Sequence, residues 1–138
     1  MTRIDFYLLA GKDDADHFAC RLIEKAWRLG NQIYVKTRDA THAGVFDRLL
    51  WTFRDQAFVP HEIAGSGSDE AAVLIGHDVH PASHSDLLVN LDHNLVDYFS
   101  RFNRVAEVIP DTEAPRQAAR ERYNFYRERG YPLHHHRI

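Results

Sequence analysis

The chain has 138 residues, 44% of them hydrophobic and 27% charged, which is enough for one globular domain with a real core. Its net charge of −3 is uneven: residues 1–100 carry 9 Lys and Arg against 15 Asp and Glu, whereas residues 101–138 carry 8 against 5. An acidic body excludes broad nucleic-acid binding, and the basic end suits a local acidic partner. No apolar run reaches the roughly 20 residues of a membrane-spanning helix. The start has an early acid and no hydrophobic leader, and the lone Cys20 excludes an intrachain disulfide, so the expected location is cytoplasmic with no membrane partner.

Residues 4–9, aromatic and branched, predict a buried strand, followed by a turn at Gly11. Asp13, Asp14 and Asp16 then crowd a helix start, where carboxylates complement the N-terminal dipole. That helix runs to about Leu29, with Phe18, Leu22, Ile23, Ala26 and Leu29 as its apolar stripe and Gly30 as its left-handed cap. Residues 32–37 predict a second strand, and Asp39 caps a second helix that buries Phe46, Leu49, Leu50 and Phe53. Trp51 lies off that stripe, roughly 140° from Phe46 at 100° per residue.

An irregular apolar segment, residues 57–61, and a Gly/Ser loop, residues 65–68, come next. Residues 73–76, 87–91 and 105–109 predict further strands, 95–102 a short helix and 115–129 a last helix, with 134–138 a flexible tail. Alternating helices and near-continuous apolar strands predict a single three-layer α/β/α domain over residues 1–138 with a mostly parallel sheet.

A parallel sheet invites a small nucleotide-binding or hydrolytic α/β enzyme, the alternative reading of this chain. A phosphate loop needs G-x-x-x-x-G-K-[ST]; after the first strand stand Gly11, Lys12, Asp13 and Asp14, which set carboxylates where phosphate would lie. Gly65 and Gly67 make only an isolated G-x-G in a loop. His77, His80 and His84 are closely spaced, but Pro81 breaks any helix that would align them, so no metal is expected. Cys20 sits beside the first helix's apolar stripe, where a buried thiol is inert, and no nucleophile elbow is present. No catalytic residue and no cofactor are expected.

Two binding features remain. On the last helix Arg116, Arg120, Tyr123 and Arg127 follow i, i+4, i+7, i+11 spacing and share one face, either a solvated surface with fortuitous arginines or a site suited to an acidic peptide with an aromatic residue or a terminal carboxylate. Trp51, Phe58, Val59 and Pro60 form an apolar group outside the core stripe, either a partner surface or a cluster closed within the monomer. A direct single-stranded-DNA binder using stacked tyrosines and arginines is the third reading, disfavoured by the acidic body.

Phe6-Tyr7-Leu8-Leu9, Leu50-Trp51, Phe58-Val59-Pro60-His61, Ala64-Gly65, and the tail Ala119-Arg120-Glu121-Arg122-Tyr123 with Tyr126-Arg127 resemble the chi subunit family of bacterial DNA polymerase III holoenzyme. The resemblance spans nearly the whole chain, with residues 62–86 matching only in outline. It implies an accessory subunit of a DNA-directed DNA polymerase complex in DNA replication, without a catalytic site of its own and touching DNA mainly indirectly. It implies two partners: the psi subunit, which ties chi to the clamp loader, and the acidic C-terminal tail of the single-stranded-DNA-binding protein, ending in Pro-Phe. Carried over, Trp51 and Phe58, with Val59 and Pro60 beside them, face psi or a helicase that competes with it. Ile109, Arg120, Tyr123 and Tyr126 face the tail, with Arg116, Asn124 and Arg127 on the same region. Asn124 is a departure, since a family member has lysine after the matching tyrosine, and loss of that cation is expected to weaken tail binding unless Arg116 or Arg127 substitutes.

Overall fold

The structure, a computed structural model, describes residues 1–79, 81 and 83–138. Its strands are β1 (Arg3–Leu8), β2 (Ile33–Lys36), β3 (His61–Ile63), β4 (Val73–Gly76), β5 (Leu87–Asn90), β6 (Arg104–Ile109) and β7 (Leu133–Arg137). Its helices are α1 (Ala15–Arg28), α2 (Ala40–Thr52) and α3 (Glu113–Glu128), with a 3₁₀ turn at Phe99–Arg101. The strands form one sheet in the order β3-β4-β2-β5-β6-β1-β7, and every pairing in it is parallel.

Both helix ends that matter here are set by local chemistry. Asp14 caps α1 by accepting from the Asp16 amide at 2.9 Å, and Asp39 caps α2 by accepting from the His42 amide at 2.8 Å. Gly30 and Gly130 adopt φ of 91° and 79° after α1 and α3. Each reverses the chain in a Schellman motif: Gly30 and Asn31 donate to Trp27 and Ala26, Gly130 and Tyr131 to Arg127 and Tyr126. A Cβ at either φ would be strained, so the turn into β7 depends on Gly130.

Two cores lie on the two faces of the sheet. On one, α1 and α2 pack Cys20, Ile23, Phe46 and Leu50 against Leu9, Val35 and Ile75. On the other, α3 and the segment around the 3₁₀ turn pack Ala119, Tyr126, Phe99 and Phe102 against Ile4, Phe6 and Leu88. The three-layer expectation is therefore met, with connections toward β3 running over the first face and those returning toward β7 over the second, as right-handed crossovers require.

Four local expectations change. Residues 134–138, expected to be a flexible tail, supply most of β7, hydrogen-bonded to β1 with Phe6 opposite His135 and Tyr7 opposite His136. The short strand β3 was not predicted, because His-Glu-Ile carries no apolar run. The helix expected over 95–102 contracts to one 3₁₀ turn, since Phe99 and Phe102 are both drawn into the core three residues apart. Leu29, placed on the α1 stripe, is 77% exposed because the Schellman turn carries it off the buried face.

Candidate functional site

Helix α3 buries Pro115, Ala119, Arg122 and Tyr126, a stripe with i, i+4, i+7, i+11 spacing. The predicted binding stripe, Arg116, Arg120, Tyr123 and Arg127, is the same pattern displaced by one residue, so it falls along the margin where α3 meets the sheet. There a cavity of about 420 Å³ opens. Ile109, Arg116, Arg120, Tyr123 and Asn124 line it as a group. Phe6, Leu8 and Ala119 complete an apolar floor, and His135 closes one side from β7.

The cations differ in how they are held. Arg116 donates to the Leu9 carbonyl at 2.7 Å and pairs with Asp111 at 3.3 Å, while its buried Nε has no partner among the described residues. Arg120 is exposed and bound to Gln117 at 2.8 Å and Glu113 at 3.3 Å, contacts that water and a ligand readily replace. The Tyr123 ring meets Phe6 edge-on at 5.7 Å and lies 5.0 Å from His135. Arg127 does not line the cavity; its guanidinium sits 5.8 Å from the Tyr123 ring centre.

Tyr126, grouped with the tail-facing residues on sequence, is fully buried beneath the cavity. Its hydroxyl donates to Glu107 Oε2 at 2.7 Å, and Glu107 Oε1 accepts from Arg122 Nε at 3.2 Å and Asn90 Nδ2 at 2.9 Å. Arg122 also donates to the His93 carbonyl at 2.7 Å. Burial pushes the Glu107 carboxyl up, and the Arg122 charge with the three hydrogen bonds opposes it. Burial, then the neighbouring Glu107 carboxylate, likewise raises the Tyr126 hydroxyl. This network fixes α3 to β6 and so fixes the cavity's shape.

The second predicted group lies at the other edge of the sheet, on α2 and the segment leading into β3. Trp51 is 46% and Phe58 62% exposed, with ring centres 5.7 Å apart, so the two aromatics are not closed within the monomer. Beneath them His61 is buried 4.3 Å from the Trp51 ring and is held between the Val59 and Asp47 carbonyls at 2.7 and 2.9 Å. Val59, expected on this surface, is fully buried in the core instead, as alternation along an extended segment dictates. Pro60 is half-buried, and its carbonyl accepts from Val73 at 3.2 Å.

At the turn after β1, the Gly11 amide is taken by Asp111 Oδ2 at 2.9 Å, a carboxylate standing where a phosphate loop would hold its ligand. Burial first, then Asp16 and Asp14, push the Cys20 thiol up to about 12. His84 is buried against the Ala71 carbonyl at 2.7 Å, His77 lies 3.4 Å from Asp78, and His80 lies outside the described residues. Among the described residues no group of three or more His, Cys, Asp or Glu is placed to hold a metal ion, and no helix is long and apolar enough to cross a membrane. Sequence reasoning missed Phe6, Leu8, Ala119 and His135 as cavity residues. Only the β1–β7 register brings His135 there, and no local pattern encodes it.

Comparison with known proteins places this arrangement. Residues 1–134 match the family described as DNA polymerase III chi subunit, HolC. The DNA polymerase III subunit chi of Pseudomonas aeruginosa is 44% identical, over 100% of this chain and 98% of its own. That of Escherichia coli K12 is 29% identical over 96% of each chain. The crystal structure of T4 UvsW superposes with a TM-score of 0.67 at 10% identity, covering 99% of this chain and 41% of that one, which is a likeness of fold alone. A sheet with these connections, matched along almost its whole length by chi sequences, assigns the chain to the DNA polymerase III chi subunit family.

Proposed function

We propose that this chain is the accessory subunit that joins the clamp loader of the DNA polymerase III holoenzyme, through psi, to the acidic tail of the single-stranded-DNA-binding protein. The observation that carries this reading is the cavity beside α3, an apolar floor of Phe6, Leu8 and Ile109 rimmed by Arg116 and Arg120. A terminal phenylalanine fits such a floor, and its carboxylate finds the exposed Arg120 guanidinium, with Arg116 beside it on the rim. Asn124 brings an amide to the rim where a family member has lysine, and Arg116, which lines the cavity, is the cation that substitutes. The Trp51–Phe58 pair, at the far edge of the sheet, serves the psi contact or a helicase that competes for it. The two surfaces lie on different elements, as a bridging subunit needs.

Calorimetric titration with an acidic peptide ending in Pro-Phe, beside the same peptide without its last phenylalanine, tests the reading. Saturable binding of the complete peptide only, abolished by Arg120→Ala, is the expected result. Equal binding of both peptides, or of neither, removes the tail from this cavity.

A further inference from the structure

Parallel sheets are normally covered on both faces, yet on the side of α1 and α2 the cover reaches only to β1, where Phe18 meets Tyr7 at 5.3 Å, and leaves His134 of β7 exposed. Both of those helices carry the chain away from β1 toward β3, so among the described residues no element passes over β7 on that face. Between α1 and this uncovered ledge lies a second cavity of about 430 Å³. Its apolar lining includes Phe18, Leu22, Ala26 and the 77% exposed Leu29. Arg21, Lys25, Arg104, His136 and Ile138 line it too, and no Asp or Glu side chain does.

The ledge carries surplus positive charge by construction. Asp5, wholly buried, is the single acid of the cluster, and it accepts from Arg3 at 3.1 Å, Arg104 at 2.8 Å and His136 at 2.8 Å. Two arginines share one carboxylate, so one arginine charge is left over, and Arg21 and Lys25 add two more in a chain whose body is acidic. Beside the cavity runs an unpaired edge, since β7 bonds to β1 alone among the described residues. The Pro132 carbonyl and the Ile138 amide bond inward to Ile4 and Leu8. By the alternation of a parallel ladder, Leu133, His135 and Arg137 therefore present their amides and carbonyls outward.

We propose that this edge and ledge form a docking site for an extended acidic peptide segment of a protein partner, distinct from the cavity beside α3. The segment adds to the sheet alongside β7 and sets a large apolar side chain between Leu22 and Leu29, with its carboxylates against Arg21, Lys25 and Arg104. Cations flanking an edge strand, here from α1 and β6, discourage pairing with a second copy, and the same cations select an acidic strand. A nucleic-acid strand suits the site less well. The Tyr7 ring is covered by His136 at 4.6 Å, the remaining apolar wall is largely aliphatic, and only a peptide uses the free backbone edge.

The test uses the full chain and a capped probe of alternating aspartate and leucine, acetylated and amidated so that it offers no terminal carboxylate to the other cavity. Saturable binding is expected, with amide shifts in β7 and the second half of α1. The double variant Arg21→Glu, Lys25→Glu is expected to lose at least about tenfold in affinity, and Arg120→Ala to lose none. Leu29→Asp, at an exposed position, gives an independent reading should the double variant lower the melting temperature. Absence of binding, shifts confined to Ile109 and Tyr123, an unaffected double variant and Leu29→Asp, or preferential capture of oligothymidylate over the peptide would each overturn the proposal.

Discussion

The two surfaces of the proposed bridge are built in opposite ways. The cavity beside α3 is concave, floored by core side chains and rimmed by arginine, and it rests on the buried network of Glu107, Arg122, Tyr126 and Asn90. The Trp51–Phe58 patch is convex and apolar, two rings standing out over His61. One surface owes its shape to buried charge and its selectivity to exposed charge. The other offers chiefly the apolar area of two aromatic rings, so its binding depends more on excluding water than on steering.

The strongest way to break this contrast is at the network. Arg122→Ala leaves Glu107 buried without its cation and is expected to cost about 3–5 kcal/mol of folding stability, read as a lowered urea midpoint. Trp51→Ala comes next: a loss of at least about 2 kcal/mol in psi binding is expected if the aromatic pair anchors that interface. The same variant should leave the peptide titration unchanged, and equal loss at both sites would mean the surfaces are not separate. Arg120→Ala should weaken binding of the Pro-Phe peptide by about 1.5–3 kcal/mol with psi binding intact. Raising salt sharpens the same distinction, weakening the arginine-rimmed site far more than the apolar one. A peptide affinity indifferent to salt would refute the role given to Arg116 and Arg120.

How far the sequence foretold these surfaces depends on whether a feature is local. The central strands declare themselves by continuous apolar runs, and Asp14, Asp39 and Gly30 mark helix ends through chemistry contained within a few residues. The α3 cations share a face by spacing alone, so Arg116, Arg120 and Tyr123 were legible as a group. Depth was not. Tyr123 and Tyr126 stand three residues apart on one helix, and a rotation of the stripe by one position decides which is half-buried at the rim and which is fully buried. The β7 strand, Leu-His-His-His-Arg, has no strand signature, and its order comes from pairing with β1 at the other end of the chain. His135 and the basic ledge were therefore invisible, being products of a register that forms only when residues more than a hundred positions apart meet.

The smallest predicted effect concerns the group that joins those two chain ends. Burial by itself raises the Asp5 carboxyl, but hydrogen bonds from His136, Arg104 and Arg3 outweigh it and hold the group below its ordinary value of 3.8. The unfolded chain therefore binds this proton at a higher pH than the folded one does. The stabilisation that Asp5 supplies is complete above 3.8 and is lost as pH falls through the lowered folded value. Urea midpoints followed by tryptophan fluorescence should accordingly fall at acid pH, and Asp5→Asn should flatten part of that fall while lowering the midpoint at neutral pH. The loss belongs to the β1–β7 edge, whereas Trp51 and Phe58, which carry no titrating group, should keep their exposure throughout the folded range. If Asp5→Asn kept the full acid slope, the three cations around this carboxyl would not be what ties β7 to the sheet.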